Sequence, residues 1–362
     1  MQKVILSSDA LKAGLKKLSQ AISKKSVMPV LQNVLCKVSE GHMEMISSDL
    51  ELTIKLVLEV EAKESFQFLL PFEFVSKIVG ILKVQPIAIE VETSRVALRA
   101  EHDLFEIGGF EGAELYPAVP DIPKKNRTIL NNELLFWLGR AMDTVSSDEN
   151  RPAMMKACLD IKAESLTIAS TNATMLFTKV AAVESANVDQ LLITPKVAKV
   201  LEGFAEAEVF WHKKQIAFKS SHMTVIATRH EDKFPDYKVV IPDFKANLTL
   251  ERSVLVEALE KSSLSSSTLT TVFLTRGKET QTIYFETFDQ DLDRKILIDI
   301  TGDYTGTVDQ VAINPKSMLT LLKQVDFGEI SLHIEKPASP VLISSTEDAG
   351  YLSLLVPYKI ND

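Results

Sequence analysis

The side chains that could do chemistry are few, and none of them stands at the spacing of a known catalytic motif. Asp103, Glu106 and Glu111 could together hold a cation, although a solvated acidic edge is the better interpretation. Residues 146–151, Ser-Ser-Asp-Glu-Asn-Arg, resemble an active-site loop, but a polar hairpin loop is the better interpretation. Histidine pairs at ligand spacing, nucleotide-binding glycine loops and hydrolase motifs are all absent from the sequence. The sequence therefore predicts a protein that is not an enzyme and holds neither a metal ion nor another cofactor.

Composition limits the class of protein further. At 362 residues and 46% hydrophobic, the chain is too long for a single ordinary domain. Cys36 and Cys158 stand alone in apolar, strand-like contexts, which indicates buried free thiols. Neither an apolar run near about 18 residues nor a secretory leader is present, so we expect a soluble, cytoplasmic protein with no membrane partner.

Charge is distributed unevenly along the chain. The net charge of −9 by itself argues against binding to nucleic acid. The segments with helical spacing nevertheless contain more Lys and Arg than Asp and Glu, so the remaining strands and loops are strongly acidic. If the helices share one surface, that surface is positive and suits contacts to phosphates without reading of bases.

An internal repeat organises the elements that must position these side chains. Residues 192–204 are typical of a short strand that runs into a helix opened by Pro195. The same pattern follows Pro71 and Pro315, at steps close to one third of the chain. A second pattern, an amphipathic helix predicted to begin near a leucine, recurs at Leu6, Leu130 and Leu250 with the same step; at Leu6 a Ser/Asp cluster is expected to cap it.

The repeats and the connectors between them predict three domains of one α+β type. Short alternating strands surround the two helices of each third, which is typical of antiparallel sheets with segregated helices. Proline-rich polar connectors follow residues 119 and 240. We therefore expect domains at 1–122, 123–245 and 246–362.

Several stretches resemble the bacterial DNA polymerase III beta subunits, the sliding clamps. They are Met-Pro-Val-Leu-Gln-Asn-Val at 28–34, Ser-Asp-Leu-Glu-Leu at 48–52, Asp-Lys-Phe-Pro-Asp-Tyr-Lys-Val-Val-Ile-Pro at 232–242, and Leu-Val-Pro-Tyr-Lys-Ile at 355–360. The resemblance covers essentially the whole chain. It implies three repeated DNA-clamp domains with helices lining a central pore and antiparallel sheets outside, closed into a ring by a head-to-tail dimer. It also implies the function, a non-catalytic processivity factor that encircles duplex DNA and tethers the replicative polymerase.

The partners implied by the resemblance are double-stranded DNA without sequence preference, the DNA polymerase III alpha subunit, the clamp loader, other proteins with a clamp-binding motif, and a second copy of the chain. Thr-Asn-Ala-Thr-Met-Leu at 171–176 departs from the family's Thr-Asp-Gly-His-Arg-Leu, and Glu73 stands where a base is common. These departures leave open an alternative, a divergent clamp paralogue that acts as a non-replicative, DNA-associated binding protein.

Packing geometry also favours a dimer if the helices form a ring. Helix axes about 10 Å apart would leave roughly 9 Å clear in a ring of six and roughly 28 Å in a ring of twelve. Only the larger ring admits a duplex of about 20 Å.

The resemblance assigns residues to three sites. The predicted DNA-contacting residues are Lys12, Lys16, Lys25 and Lys196. For the dimer interface the predicted residues are Phe105 and Ile107 on an edge-like strand, with Leu264 as their partner. A groove for peptides of the Gln-Leu-x-Leu-Phe type, whose polar end would meet Thr171, is predicted from Met154, Thr171, Leu176, Pro235, Val240, Leu354 and Val356, with Arg151 at its rim.

Overall fold

The computed structural model describes residues 2–23, 28–92, 95–108, 112–185, 187–243, 245–264, 270–274, 282–289 and 293–359. Two residues of the sequence predictions, Lys25 and Glu111, lie outside these ranges. The described part of the chain contains no helix long and apolar enough to cross a membrane.

Six α-helices occur in the described residues, two in each third of the chain. They are α1 (Ser8–Leu18), α2 (Phe72–Ile81), α3 (Asn132–Ala141), α4 (Pro195–Leu201), α5 (Arg252–Ser262) and α6 (Pro315–Lys323).

The strands are short and follow the same order in each third. In the first third they are β1 (Gln2–Ser7), β2 (Asn33–Ser39), β3 (His42–Ser48), β4 (Leu52–Glu59), β5 (Glu61–Ala62), β6 (Phe66–Pro71), β7 (Pro86–Glu92), β8 (Arg95–Ala100) and β9 (Asp103–Gly108). In the middle third they are β10 (Asn126–Asn131), β11 (Ala157–Ile161), β12 (Ser165–Thr171), β13 (Met175–Ala182), β14 (Asp189–Ile193), β15 (Glu206–His212), β16 (Gln215–Lys219) and β17 (Met223–Thr228). In the last third they are β18 (Leu248–Glu251), β19 (Thr270–Phe273), β20 (Thr282–Asp289), β21 (Arg294–Thr301), β22 (Asp303–Tyr304), β23 (Gln310–Ile313), β24 (Glu329–His333), β25 (Val341–Ser344) and β26 (Tyr351–Leu355).

The predicted start of the first helix in each third was wrong by two residues. Leu6, Leu130 and Leu250 are the penultimate residues of the strands β1, β10 and β18, and each helix begins two positions later. All three leucines are buried, because each strand runs without a loop into its helix and both elements pack on the same core. The predicted Ser/Asp cap is also not formed, since Ser7 makes no capping hydrogen bond. Ser8 instead donates to the Lys83 carbonyl at 3.0 Å and fastens α1 to the segment after α2.

The second helices show how the repeated proline is used. Pro195 and Pro315 are the first residues of α4 and α6, as predicted. Pro71, by contrast, lies one position earlier, at the N-cap of α2. Proline suits these positions because the first turn of a helix leaves its amides without helical partners.

The described residues fall into two compact units. The first unit comprises Met1–Asn132 and Lys199–His230, and the second comprises Glu133–Ala198 and Glu231–Asp362. In the first unit a five-stranded sheet has the order β5-β1-β7-β8-β9 and an eight-stranded sheet the order β10-β15-β16-β17-β4-β3-β2-β6. In the second unit a nine-stranded sheet has the order β14-β11-β12-β13-β26-β25-β24-β18-β22 and a four-stranded sheet the order β21-β20-β19-β23. Every pairing between strands is antiparallel, which confirms the predicted α+β class.

Helix α1 illustrates how the helices are held on the sheets. Leu11, Leu15 and Leu18 form its buried face, and each fully buried leucine contributes about 1.5–3 kcal/mol of transfer free energy. Gly14 lies on the same face, where an added Cβ would approach the Leu56 side chain to 2.9 Å. A glycine in the middle of this helix therefore permits close contact with β4.

The sheet orders also reveal the joints between thirds. In the eight-stranded sheet β17 of the middle third pairs with β4 of the first, with Val225 opposite Ile54. In the nine-stranded sheet β26 of the last third pairs with β13 of the middle, with Ser353 opposite Phe177. In the order of elements, β9 is equivalent to β17 and β26, and β21 is equivalent to β4 and β13. Both β9 and β21 lie at the ends of their sheets with no further described strand beside them.

Candidate functional site

One face of the nine-stranded sheet carries a continuous apolar floor. Strand pairing sets Cys158 opposite Ala169 and Leu192, while Leu176 lies opposite Leu354. Because side chains alternate across a sheet, these residues share one face. All five are buried and belong to one hydrophobic cluster.

A segment from after β17 packs on this floor, and we call residues 232–241 the cover segment. Phe234 and Tyr237 are its buried anchors, with ring centroids 6.2 Å apart at 68°. Ile241, together with Ala153 from before β11, packs half-buried against the same cluster. The cover segment also contains the 3-10 helix Tyr237–Val240.

The predicted pocket residues divide into floor and rim. Leu176 and Leu354 are only 2% and 3% exposed, so they support the floor more than they offer a surface. Val240 and Val356 are 48% and 41% exposed and stand at the rim. Pro235 and Met154 are half-buried neighbours in sequence of Phe234 and Ala153, whereas Arg151 is exposed and ion-paired with Asp148 at 3.4 Å.

The turn from β12 to β13 bounds the floor on another side. The Asn172 side-chain oxygen accepts hydrogen bonds from the Thr174 and Met175 amides at 3.0 and 2.8 Å, which fixes the turn. Ala173 has a φ of 76°, a left-handed conformation that explains why glycine is typical of this position in the family that the chain resembles. The Val356 amide donates to the Thr174 carbonyl at 2.8 Å and brings the end of β26 beside the turn.

Thr171 is less available than the sequence suggested. It is 8% exposed, and its hydroxyl donates to the Met175 carbonyl at 2.7 Å while accepting from the Ala173 amide at 3.1 Å. Since a hydroxyl has one hydrogen to donate, Thr171 in this arrangement can offer a bound peptide only an acceptor.

One buried charge, Asp160, lies on β11 beneath the cover segment. The Asp160 carboxylate, 2% exposed, accepts from the Tyr237 hydroxyl at 3.1 Å and from Lys238 Nζ at 3.0 Å, and Lys162 Nζ lies 3.1 Å from its other oxygen. Burial alone raises the pKa of Asp160, but hydrogen bonds from Lys238 and Lys162 outweigh it and hold the pKa below its ordinary value. Burial, followed by the charge of Asp160, raises the pKa of Tyr237, so this hydroxyl stays a donor.

Sequence reasoning missed the anchors and charges of this site. Phe234, Tyr237 and Asp160 were not predicted to take part, although the first two belong to a stretch that carries the family resemblance. Cys158 and Asp160 alternate with Leu159 and Ile161, which indicates that Cys158 and Asp160 share one face of a strand. The pattern does not reveal that Tyr237, 77 residues away, is the partner of Asp160. Burial raises the pKa of Cys158 to about 12, so its thiol acts as an apolar filler, as predicted.

The other predicted residues occupy exposed helix and edge positions. Lys12 and Lys16 lie on the exposed face of α1, and Lys12 Nζ donates to the Gly80 carbonyl at 3.2 Å. Lys196 is exposed in the first turn of α4.

Phe105 and Ile107 are half-buried on the outermost strand β9, as the sequence predicted for an edge strand, and Leu264 is 78% exposed after α5. Of the carboxylate cluster, Glu106 pairs with Arg95 at 2.9 Å, and the described residues contain no group of three His, Cys, Asp or Glu side chains placed to hold a metal ion.

Two helices and a set of antiparallel strands, repeated in three successive thirds, define the architecture of a DNA clamp. Residues 2–120 match the description "DNA polymerase III beta subunit, N-terminal domain", and residues 238–359 match "DNA polymerase III beta subunit, C-terminal domain". The chain belongs to the DNA polymerase III beta subunit family, the bacterial sliding clamps.

Individual relatives agree with this assignment. The chain is 21% identical to the beta sliding clamp of Streptomyces coelicolor over 378 residues, covering 99% of this chain and 100% of that protein. Its fold matches the DNA polymerase sliding clamp of Bacillus subtilis with a TM-score of 0.90 at 20% identity, over 99% and 100% of the two chains. It matches the Helicobacter pylori beta clamp bound to a DNA ligase peptide with a TM-score of 0.89 at 17% identity, over the same shares.

Proposed function

We propose that two copies of this chain close head to tail into a ring that encircles duplex DNA and tethers the replicative polymerase. The single observation that carries the proposal is that β9 and β21 lie at sheet edges, although their equivalents in the other thirds are paired with each other. Within the chain, the equivalent strands pair as β17 with β4 and as β26 with β13. Edge strands invite pairing with another chain, and the repeat supplies the partner, namely β21 of a second copy for β9 of the first.

The repeat also defines a register for this seam. Counting from the hairpin turns places Phe105 at the position of Val225. Ile296 takes the position of Ile54 and Phe177, because each of these three residues pairs with a fully buried hydroxyl residue, namely Thr287, Ser47 and Ser170. Phe105 would then face Ile296 of the second copy. The adjacent pair is Leu104 and Leu297, which are 46% and 61% exposed in the single chain. Leu264, 78% exposed after α5, remains a further candidate for this contact surface.

The three proposed domains keep the predicted limits, 1–122, 123–245 and 246–362. Each joint between neighbouring domains is then one antiparallel strand pair, and the proposed seam would be a third joint of that kind.

Contacts to DNA in this proposal are weak and independent of sequence. The exposed Lys12, Lys16 and Lys196, with Lys25, supply charge to phosphates, and a protein that must slide cannot bind bases specifically. The protein acts without catalysis or a cofactor, and in the cytoplasm, where bacterial DNA is replicated.

The face of the nine-stranded sheet is the proposed docking site for partner proteins. The Helicobacter pylori relative has a DNA ligase peptide bound. For this chain we propose the DNA polymerase III alpha subunit, the clamp loader and other proteins with a clamp-binding motif as partners. The apolar rim of Val240 and Val356 over a buried floor fits short apolar peptide anchors.

Peptide binding and loading onto DNA test this proposal. A labelled Gln-Leu-x-Leu-Phe peptide should bind with a Kd of roughly micromolar size, as small transient contacts do. Val240→Asp should abolish this binding, whereas Val188→Asp, at an exposed loop valine outside the site, should not. With a clamp loader the protein should also associate with nicked circular DNA; absence of both activities would contradict the proposal.

A further inference from the structure

The cover segment contributes Val240 to the rim but has little regular structure of its own. Residues 231–236 form neither helix nor strand, and only the 3-10 helix Tyr237–Val240 follows. Val239 and Val240 at its end are 77% and 48% exposed, while Tyr237 just before them is buried. What fixes the two valines relative to the sheet therefore matters for any ligand that packs on them.

Asp160 is the fixed point on the sheet side. It lies in β11, which is paired on both edges, with Thr167 and Gln190 opposite Asp160. One of its oxygens, Oδ2, accepts from both Tyr237 and Lys238 of the cover segment. A buried carboxylate without partners is destabilising, so the contacts with Asp160 favour the position of the cover segment in which Tyr237 and Lys238 reach it.

A second ion pair, formed by a buried lysine with an exposed aspartate, holds the beginning of the cover segment. Lys156, whose side chain is 9% exposed, donates to Asp232 at 3.0 Å and to the Pro152 carbonyl at 2.7 Å. The cover segment is thus fastened at residue 232 and again at residues 237 and 238. Between the two fastenings only Phe234 enters the apolar floor.

We propose that Asp160 is a positioning residue of the candidate peptide site, holding Tyr237 and Lys238 so that Val239 and Val240 stand where a partner peptide packs. The inference rests on the proposed function of this face and adds a residue that does not itself touch the peptide. Rigidity of this kind raises affinity because the site loses less conformational freedom when the ligand binds.

Lys162 provides a matched control for the test. It contacts the same carboxylate, at Oδ1 and 3.1 Å, and its side chain is 48% exposed against 58% for Lys238. It lies directly after β11, however, and not on the cover segment. Removing either lysine changes the charge beside Asp160 equally, but only Lys238 connects Asp160 to the rim.

The experiment measures binding of the labelled Gln-Leu-x-Leu-Phe peptide to the full chain by fluorescence anisotropy. Asp160→Asn and Lys238→Gln should each raise the Kd by roughly ten-fold, and Lys162→Gln by less than roughly two-fold. In the Asp160→Asn background, Lys238→Gln should cost nothing further, because both act through one contact. Hydrogen exchange should quicken at residues 233–241 in Asp160→Asn and stay unchanged in β11 and β12.

Three results would overturn the inference while leaving the proposed function intact. They are wild-type affinity in Asp160→Asn, a loss in Lys162→Gln as large as in Lys238→Gln, and additive losses in the double variant, which would mean that Lys238 touches the peptide. The exposed Lys238→Gln keeps the test decisive should Asp160→Asn fail to fold. A wild-type protein that binds no peptide would instead overturn the proposed site, and this inference with it.

Discussion

At the scale of single residues, the chain departs from its family at Ala173, in a turn that recurs in the first third. Asp49 in the first third and Asn172 in the middle third fix equivalent turns, and the residue after each, Leu50 and Ala173, has a φ of 76°. Left-handed backbone costs an L-residue with a Cβ roughly 1–2 kcal/mol. The strain comes from the position in the turn, so it is invisible in composition or hydrophobic pattern.

Ala173→Gly should therefore stabilise the protein. Relief of the left-handed strain outweighs the greater freedom of glycine in the unfolded chain, giving a net gain of about 0.5 kcal/mol. The measurement is the urea midpoint of unfolding. The matched control is Ala163→Gly, at an exposed alanine in the β11–β12 turn with ordinary φ, which should destabilise by about 0.5–1 kcal/mol. Equal losses in both variants would contradict the assigned conformation of Ala173.

At the scale of elements, hydrophobic periodicity was a good guide to helices and strands and a poor guide to their ends and neighbours. The helices of each third were predicted, but Leu6, Leu130 and Leu250 belong to strands because both elements share one core. Burial of Leu176 and Leu354 depends on the pairing of β13 with β26, whose partners are 172–180 residues apart in sequence. Local patterns carry no information about such partners, which is why floor and rim of the candidate site could not be told apart.

A buried lysine with two acidic partners joins β13 to α3 and to the loop before β26. Lys179 is 5% exposed and contacts Asp348 and Glu133, with Nζ 5.3 Å from the Trp137 ring centroid. Aromatic contacts of Trp137 with Phe177 and Tyr351 surround this charge. Because the charge is desolvated, its partners are needed for stability.

Asp348→Asn should lower the free energy of unfolding by about 2 kcal/mol, since Glu133 remains as a partial partner for the buried Lys179. The readout is the urea transition followed by tryptophan fluorescence. Asp326→Asn is the control, because that side chain is 78% exposed and lies 3.9 Å from its arginine partners. It should change stability by less than about 0.5 kcal/mol. Similar losses in the two variants would show that burial does not govern the Lys179 pair.

At the scale of the whole molecule, the threefold repeat was predicted from sequence and is confirmed, while the joints were not foreseen. The pairings of β17 with β4 and of β26 with β13 follow from tertiary packing. Among the strands at sheet edges, only these pairings single out β9 and β21, whose equivalents in the other thirds are paired with each other. The sequence indicated β9 alone, through its position and the resemblance.

Leu297→Asp should convert the proposed dimer into folded monomers, because the proposed register buries Leu297 against Leu104 of the second copy. Analytical ultracentrifugation at micromolar concentration measures the change, with circular dichroism as a check on folding. Leu50→Asp is the control, since Leu50 is 60% exposed against 61% for Leu297 and lies outside the proposed seam. An unchanged dimer in Leu297→Asp would remove β21 from the interface.

The topology of binding to DNA tests the central claim most directly. The protein is loaded by a clamp loader onto nicked circular DNA, freed of unbound protein by gel filtration, and divided into three portions: one left circular, one linearised, and one linearised with both ends blocked by bulky protein adducts. A ring that encircles DNA should stay on the circle, leave the open linear form, and remain on the blocked linear form. Equal retention on all three, or loss from the intact circle, would contradict the account.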